Sequence, residues 1–311
     1  MNHSRIPIFF IMIVCFAGLF WFKAEAAPEK DPRVLVYATI SKDPAASYPP
    51  LKQMVDYAAA RLGGVGIEKG EVLLAKDEYQ LAQYLREKKA DWVSGSYYIA
   101  IMLKQTTGVE WLLRRWKDGI PEYHTVFITK HDSAIQSLDA LQGGKIAFES
   151  PVSSSGFIVP MIILLEKKWE MELIPSFRHP APAHKTAYVF SKSALNTASW
   201  VSSGAVDVGA ISNADWEQKN TIPATVKGKL RLIGQSDPYP RMIEMVRPDL
   251  PPALKQQLKE LLKHAHEQPE GKAVLKEFSN TNRFDDLPAD TLKKMEGANT
   301  TISLIKPYKQ P

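Results

Sequence analysis

Cysteine is almost absent. The 311 residues contain one, Cys15, inside the apolar run 6–22 near the N-terminus. A chain that starts after that run has no thiol, so it can form neither a disulfide nor a thiolate metal site, and its stability must come from packed cores. No block of one charge sign stands out either. Lys and Arg total 39 against 34 Asp and Glu, a formal net charge of +5, with the two signs interleaved along the chain. That pattern argues against nucleic acid as a partner and weakly favours an anion. The longest basic clusters, 112–115 and 87–89, are short and read as solvated helix faces. A G-x-S-x-G elbow is also missing, which argues against a serine nucleophile and an enzyme.

The N-terminus sets the compartment. Arg5, the apolar run 6–22, Lys23 and Ala24-Glu25-Ala26 are the three parts of a secretory signal peptide spanning 1–26. The apolar run falls short of the ~20 residues that a spanning helix prefers. Cleavage after Ala26 is the expectation, with an uncleaved N-terminal anchor as the alternative. Either form is extracytoplasmic. Cys15 follows Val14, which is not small, and reads as apolar filler rather than a lipid attachment point.

Beyond the leader, strand-like and helix-like segments alternate. Residues 33–38 read as a buried strand, and Pro49-Pro50 opens a helix over 51–62 with Leu51, Val55, Ala58, Ala59 and Leu62 on one stripe. A second strand follows at 71–75. Asp77 caps a helix running to Glu87, and 90–93 is a third strand. The pattern restarts with a strand at 123–128, a helix at 133–141 and a strand at 145–148. Units of this length predict an α/β fold with a parallel sheet and helices on both faces, where ligands bind beyond the carboxyl ends of the strands.

The strand at 145–148 runs into Glu149-Ser150-Pro151-Val152-Ser153-Ser154-Ser155-Gly156 and then an apolar helix. A helix N-terminus presents unpartnered N–H groups and partial positive charge. Three hydroxyls and a glycine at that point suit a bound oxyanion. A single N-capping serine with turn filler is the plainer alternative.

The run 123–160, YHTVFITKHDSAIQSLDALQGGKIAFESPVSSSGFIVP, resembles the periplasmic phosphate, phosphite and phosphonate-binding proteins of ABC importers. Those proteins carry a tyrosine-led strand, a D-S-x-I-x-S-L-x-x-L-x-G-K run and a D-P-x-S-T-S-G-x-x-x-P loop. Further points of similarity are Asp77-Glu78-Tyr79 with Leu81, the segment SGAVDVGA at 203–210, and Ser236-Asp237-Pro238-Tyr239-Pro240. The resemblance extends over about 34–278 and implies a type II periplasmic binding protein fold: two doubly wound α/β lobes joined by a two-strand hinge. Lobe 1 would be discontinuous, 27–125 with 232–298, lobe 2 would cover 126–231, and 299–311 would form a C-terminal tail. The implied partners are a small anion and an ABC permease in the inner membrane, or alternatively a membrane sensor receptor. No cofactor is implied.

Carried over by position, Ser153, Ser154, Ser155 and Gly156 match the loop that grips the phosphoryl oxygens. Tyr48 and Tyr98, with Tyr97 as substitute, match aromatics that pack on the ligand. Asp207 matches an acid that meets an amino group in some members, or else is a turn cap. Two departures leave the ligand open. Ser150, preceded by Glu149, stands where the loop usually begins with aspartate. Ala194 stands where many members place a histidine, with Lys192 or Ser193 as possible replacement donors. His179 and His184 have no third ligand nearby in sequence, so no metal site is expected.

Overall fold

The computed structural model describes residues 31–303 and Ile305. The expected signal segment and most of the expected tail therefore lie outside the described residues. In chain order the first lobe contains β1 (Val34–Ile40), α1 (Pro44–Ala59), β2 (Lys69–Ala75), α2 (Glu78–Arg86), β3 (Trp92–Gly95), α3 (Tyr97–Thr107) and β4 (Glu110–Lys117). After β5 (Glu122–Tyr123) come β6 (Thr125–Lys130), β7 (Lys145–Phe148), α4 (Val159–Glu166), β8 (Met171–Leu173) and β9 (Thr186–Phe190). Then follow α5 (Ala194–Ser202), β10 (Val208–Ser212), α6 (Asn213–Glu217), α7 (Ala224–Lys227) and β11 (Leu230–Gln235). The chain returns through β12 (Tyr239–Pro240) to β13 (Met242–Val246), α8 (Pro252–His264), α9 (Pro269–Glu277), β14 (Thr281–Asp285) and α10 (Ala289–Ile302).

Two six-stranded sheets result, ordered β14-β4-β13-β3-β1-β2 and β11-β6-β10-β7-β9-β8. Neither is wholly parallel. In the first, β2, β1 and β3 are parallel, and β13, which comes from the returning chain, runs against β3. In the second, β6 runs against β10. Both crossings between lobes enter or leave through short antiparallel pairing of β5 with β12, with Tyr239 opposite Tyr123. The return crossing falls later than position 232, because β11 still pairs with β6 as far as Gln235.

Several local expectations change. Helix α1 begins at Pro44, behind Asp43, whose carboxylate accepts from Ala46 N–H at 3.1 Å. Pro44 costs nothing at the first position, and Pro49 and Pro50 lie within the helix instead of opening it. Residues 133–141 make only a single turn, Leu138–Leu141. Ser133 Oγ accepts from Ile135 N–H, and Arg231 occupies the carbonyls of Ser133 and Ile135 at 3.0 and 2.7 Å, so a helix there would have to give up these local bonds. The cluster 112–115 is no solvated helix face: it lies in β4, with Leu112, Leu113 and Arg115 buried.

One apolar core runs through both lobes, from Ala38, Val93 and Ile101 to Phe127, Ile146, Phe148 and Phe157. Helix α10 packs on α3 of the first lobe and α4 of the second, and its Met295 and Ile302 join that core. The helix thus continues past the expected end of the folded chain near 298. Gly297 sits inside α10 with open space where a Cβ would stand. Gly297→Ala is therefore expected to stabilise the protein by about 0.5–1 kcal/mol, seen as a small rise in the thermal unfolding midpoint. A fall would mean that this stretch is not helical in solution.

Candidate functional site

The serine loop is tied at its base by backbone bonds. Glu149 N–H donates to Gly156 O at 2.9 Å, and Ser153 N–H donates to Ser150 O at 3.1 Å. Residues Ser154–Ile158 then make one wide turn that feeds α4. Ser153 caps this turn: its hydroxyl accepts from Gly156 N–H at 3.0 Å and donates to Glu149 Oε2 at 2.8 Å. Its hydrogen is committed inside the loop, so Ser153 acts as a cap while the hydroxyls of Ser154 and Ser155 stand beyond it. These two serines are 3% and 5% exposed.

The first lobe supplies the facing half. β3 ends at Gly95, and Ser96 begins α3 without a side-chain cap bond. Tyr98 N–H in the first turn of α3 donates to Ser154 Oγ at 3.0 Å, across the lobes. Two helix N-termini, one from each lobe, therefore converge on one hydroxyl. Each carries partial positive charge, and side-chain hydroxyls rather than backbone carbonyls take the Tyr98 and Gly156 N–H groups, an arrangement that favours an anion.

The hinge strands close the back of the site. Thr125 Oγ1 donates to Ser155 O at 2.9 Å and lies 3.1 Å from the Tyr239 hydroxyl. Burial pushes the Tyr123 phenol up to about 12, with the Ser155 and Ser154 hydroxyls beside it pulling the other way. Burial also raises Tyr239 well above the ordinary phenol range. Both tyrosines are neutral hydrogen-bonding groups throughout the physiological range. Sequence reading had placed Tyr123 and Tyr239 in quoted motifs but gave neither a place in the site.

A carboxylate stands against the same turn. Glu149 is half-buried, and a Cβ on Gly156 would lie 2.5 Å from Glu149 Cβ and 2.8 Å from Oε2. Burial raises the Glu149 pKa. Its bond from Ser153 lowers it, Asp215 raises it and Lys42 lowers it. Lys42 comes from the β1–α1 connection and Asp215 from α6, where it accepts from the Ser212 hydroxyl at 2.6 Å.

The remaining sequence candidates divide. Tyr98 joins the site through its backbone N–H, and its half-buried phenol is raised to about 12 by burial, with Glu78 and Tyr79 adding to the effect. Tyr97 turns to the hinge, its ring 5.0 Å from that of Tyr239. It lines a cavity of about 480 Å³ between α4, the return crossing and α10, none of whose lining residues is a loop serine. Tyr48 lies in α1, whose start at Pro44 is earlier than the expected 51, and is 45% exposed. Asp207 is not brought to the loop. It precedes β10 and accepts from Lys145 N–H, at the start of β7, at 2.7 Å, whereas the serines follow the end of that strand. Its observed part is to hold the opening of β7.

Ala194 is the buried first residue of α5, and Ser193 caps that helix by accepting from Asn196 N–H at 3.1 Å. Lys192 is exposed, and its backbone N–H donates to Glu149 O at 2.8 Å. Among the described residues no group of three or more His, Cys, Asp and Glu could hold a metal ion, and no helix is long and apolar enough to cross a membrane.

Two α/β lobes, a two-strand hinge and opposed helix N-termini in the cleft define a bilobal solute-binding protein. The family model for ABC transporter, phosphonate, periplasmic substrate-binding proteins matches residues 39–292, and the chain belongs to that family. XAC2383 from Xanthomonas citri bound to chloride ion is 34% identical, with a TM-score of 0.79, over 88% of this chain and 99% of that one. The same protein bound to ATP gives 32% identity and a TM-score of 0.80 over 89% and 100%. PhnD1 from Prochlorococcus marinus in complex with methylphosphonate shares the fold, with 19% identity and a TM-score of 0.61 over 88% and 100%. The family is extracytoplasmic and is the substrate-binding component of a transporter, not an enzyme class.

Proposed function

We propose that this protein captures a small phosphorus oxyanion, a phosphonate, phosphite or phosphate, between its lobes and delivers it to an ABC permease. The observation that carries this reading is the convergence of two helix N-termini on Ser154. When the lobes part, the Tyr98 N–H loses its acceptor, and an oxyanion is the natural replacement. The anion would also take hydrogen bonds from the Ser154 and Ser155 hydroxyls, while Ser153 and Gly156 keep the loop in shape.

A second reading keeps the anion site and enlarges the ligand to a phosphate ester with a planar body. ATP bound to XAC2383 and the exposed ring of Tyr48 favour it. A thermal-shift screen of phosphate, phosphite, alkylphosphonates, carboxylates and nucleotides separates the two, since a ligand held by the folded state raises its melting temperature by mass action. With the best ligand, Ser154→Ala combined with Ser155→Ala is expected to weaken binding more than tenfold in calorimetry. Equal affinity in mutant and parent would remove the loop from the binding site.

A further inference from the structure

We propose that Glu149 determines specificity at this site: Glu149 and the captured anion share one proton, so an oxyanion carrying an ionisable hydrogen is preferred to one carrying none. The inference rests on the anion reading above, and starts from the side chain that this reading leaves unexplained. Glu149 leaves the end of β7 and lies directly on the first turn of the capturing helix, where Gly156 has room only for hydrogen. Its Oε2 takes the Ser153 hydrogen at 2.8 Å, and among the described residues its Oε1 has no hydrogen bond or ion pair with the protein.

The groups facing Glu149 do not neutralise it. Lys42, from the β1–α1 connection, is the cation that acts on it, and Asp215 from α6 acts with the opposite sign. Tyr123 of β5 is a half-buried neutral phenol, and Lys192 reaches Glu149 only through its backbone N–H. Within the loop itself Glu149 is met by the Ser153 hydroxyl and the helix N-terminus, neither of them a full charge. An anion placed on that turn therefore meets a second negative charge. Two acids sharing a site do not both ionise fully; one proton is retained by the pair. Burial already moves Glu149 in this direction.

The proton has two sources. A monoanionic phosphonate brings its own P–OH hydrogen, which bridges to a Glu149 oxygen, and nothing is taken from solvent. A sulfonate has no such hydrogen, so Glu149 must take a proton from water as the anion binds. Sulfonate affinity should then fall about tenfold per pH unit above the Glu149 pKa, while phosphonate affinity holds until the second ionisation of the ligand.

The test is calorimetry of the whole chain with methylphosphonate and methanesulfonate from pH 5.5 to 8, in two buffers of different ionisation enthalpy. The expected result is a preference for methylphosphonate that widens with pH up to the second ionisation of that ligand and then levels off, and uptake of close to one proton with each methanesulfonate. Glu149→Gln, which can still accept from Ser153, should narrow the preference at pH 8 by tenfold or more and flatten the sulfonate profile. Parent-like preference and slope in Glu149→Gln would overturn the inference alone. Zero proton uptake by the parent with methanesulfonate would do the same without any variant. Failure of the parent to bind methylphosphonate would overturn this inference, and failure to bind phosphite, phosphate and nucleotides as well would overturn the anion reading with it.

Discussion

Replacing Arg115 with methionine is expected to destabilise the protein by about 3–5 kcal/mol at pH 8, the range seen when one partner of a buried ion pair is removed. Glu244 on β13 is fully buried, and Arg115 on the adjacent β4 is nearly so. Arg115 Nε lies 3.3 Å from Glu244 Oε1 without hydrogen-bond alignment. Trp92 Nε1–H donates to Oε2 at 2.6 Å, and the Ser94 hydroxyl donates to the same oxygen. Without Arg115 these two neutral donors would face a buried carboxylate alone. The guanidinium also lies over the Phe278 ring, 4.5 Å from its centroid, where a methionine keeps some of the packing.

The loss should depend on pH. Burial raises the Glu244 pKa in the native state, Arg115 opposes that rise, and the opposition disappears in the variant. The native state then binds the Glu244 proton more tightly than the unfolded chain does, so stability falls as pH climbs. The contribution is fully present below the ordinary glutamate pKa and is lost as pH rises through the elevated native value. Urea unfolding at pH 5 and pH 8 should show the smaller loss at pH 5. Adding Glu244→Leu to Arg115→Met should recover much of the difference at pH 8, because an apolar pair replaces two charges. A loss under about 1 kcal/mol at both pH values would show that the pair does not support the fold.

The same pair shows where the sequence ceased to be legible. Two arginines in succession read as a wet helix face, because local pattern cannot see partners far along the chain. Arg114 is bonded to Asp285 on the neighbouring β14 and to Glu122, and Arg115 is opposed by Glu244 on β13. Where the signals were local the elements came out near their observed bounds. The Asp77 cap, with its carboxylate accepting from Gln80 N–H at 2.8 Å, and the strand at 145–148 are examples. The helix expected at 133–141 failed because Arg231, remote in sequence, takes carbonyls that the helix would need.

For the candidate site, a strand followed by hydroxyls, glycine and an apolar helix marked the strand, turn and helix that the structure forms, but spacing could not assign a task to each hydroxyl. Ser153 faces inward because Glu149, four residues earlier, comes back beside it when the loop closes. Asp207 could have been excluded from strand direction. β10 runs parallel to β7, so a residue before one strand lies at the opposite end from residues following the other. Tyr123 and Tyr239 meet only because the chain crosses between lobes twice, which no local window reveals.

Gly156→Ala is expected to abolish most anion binding, by roughly a hundredfold, the scale on which a misplacement of about 1 Å acts in a preorganised site. The new Cβ would stand 2.5 Å from Glu149 Cβ, 2.8 Å from its carboxylate and 3.0 Å from Ser153 Oγ. Glu149 cannot retreat easily, because its own N–H donates to Gly156 O and its carbonyl accepts from Lys192 N–H. The turn must open instead, which parts the Ser153 cap from Gly156 N–H and carries Ser154 away from Tyr98. The fold should survive, since the cost is that of local overpacking, about 1–3 kcal/mol. Calorimetry with the parent's ligand, alongside unfolding curves, tests both halves. Parent affinity in the alanine variant would mean that the turn tolerates a side chain and that the closeness of Glu149 to the capturing helix is not a constraint on binding.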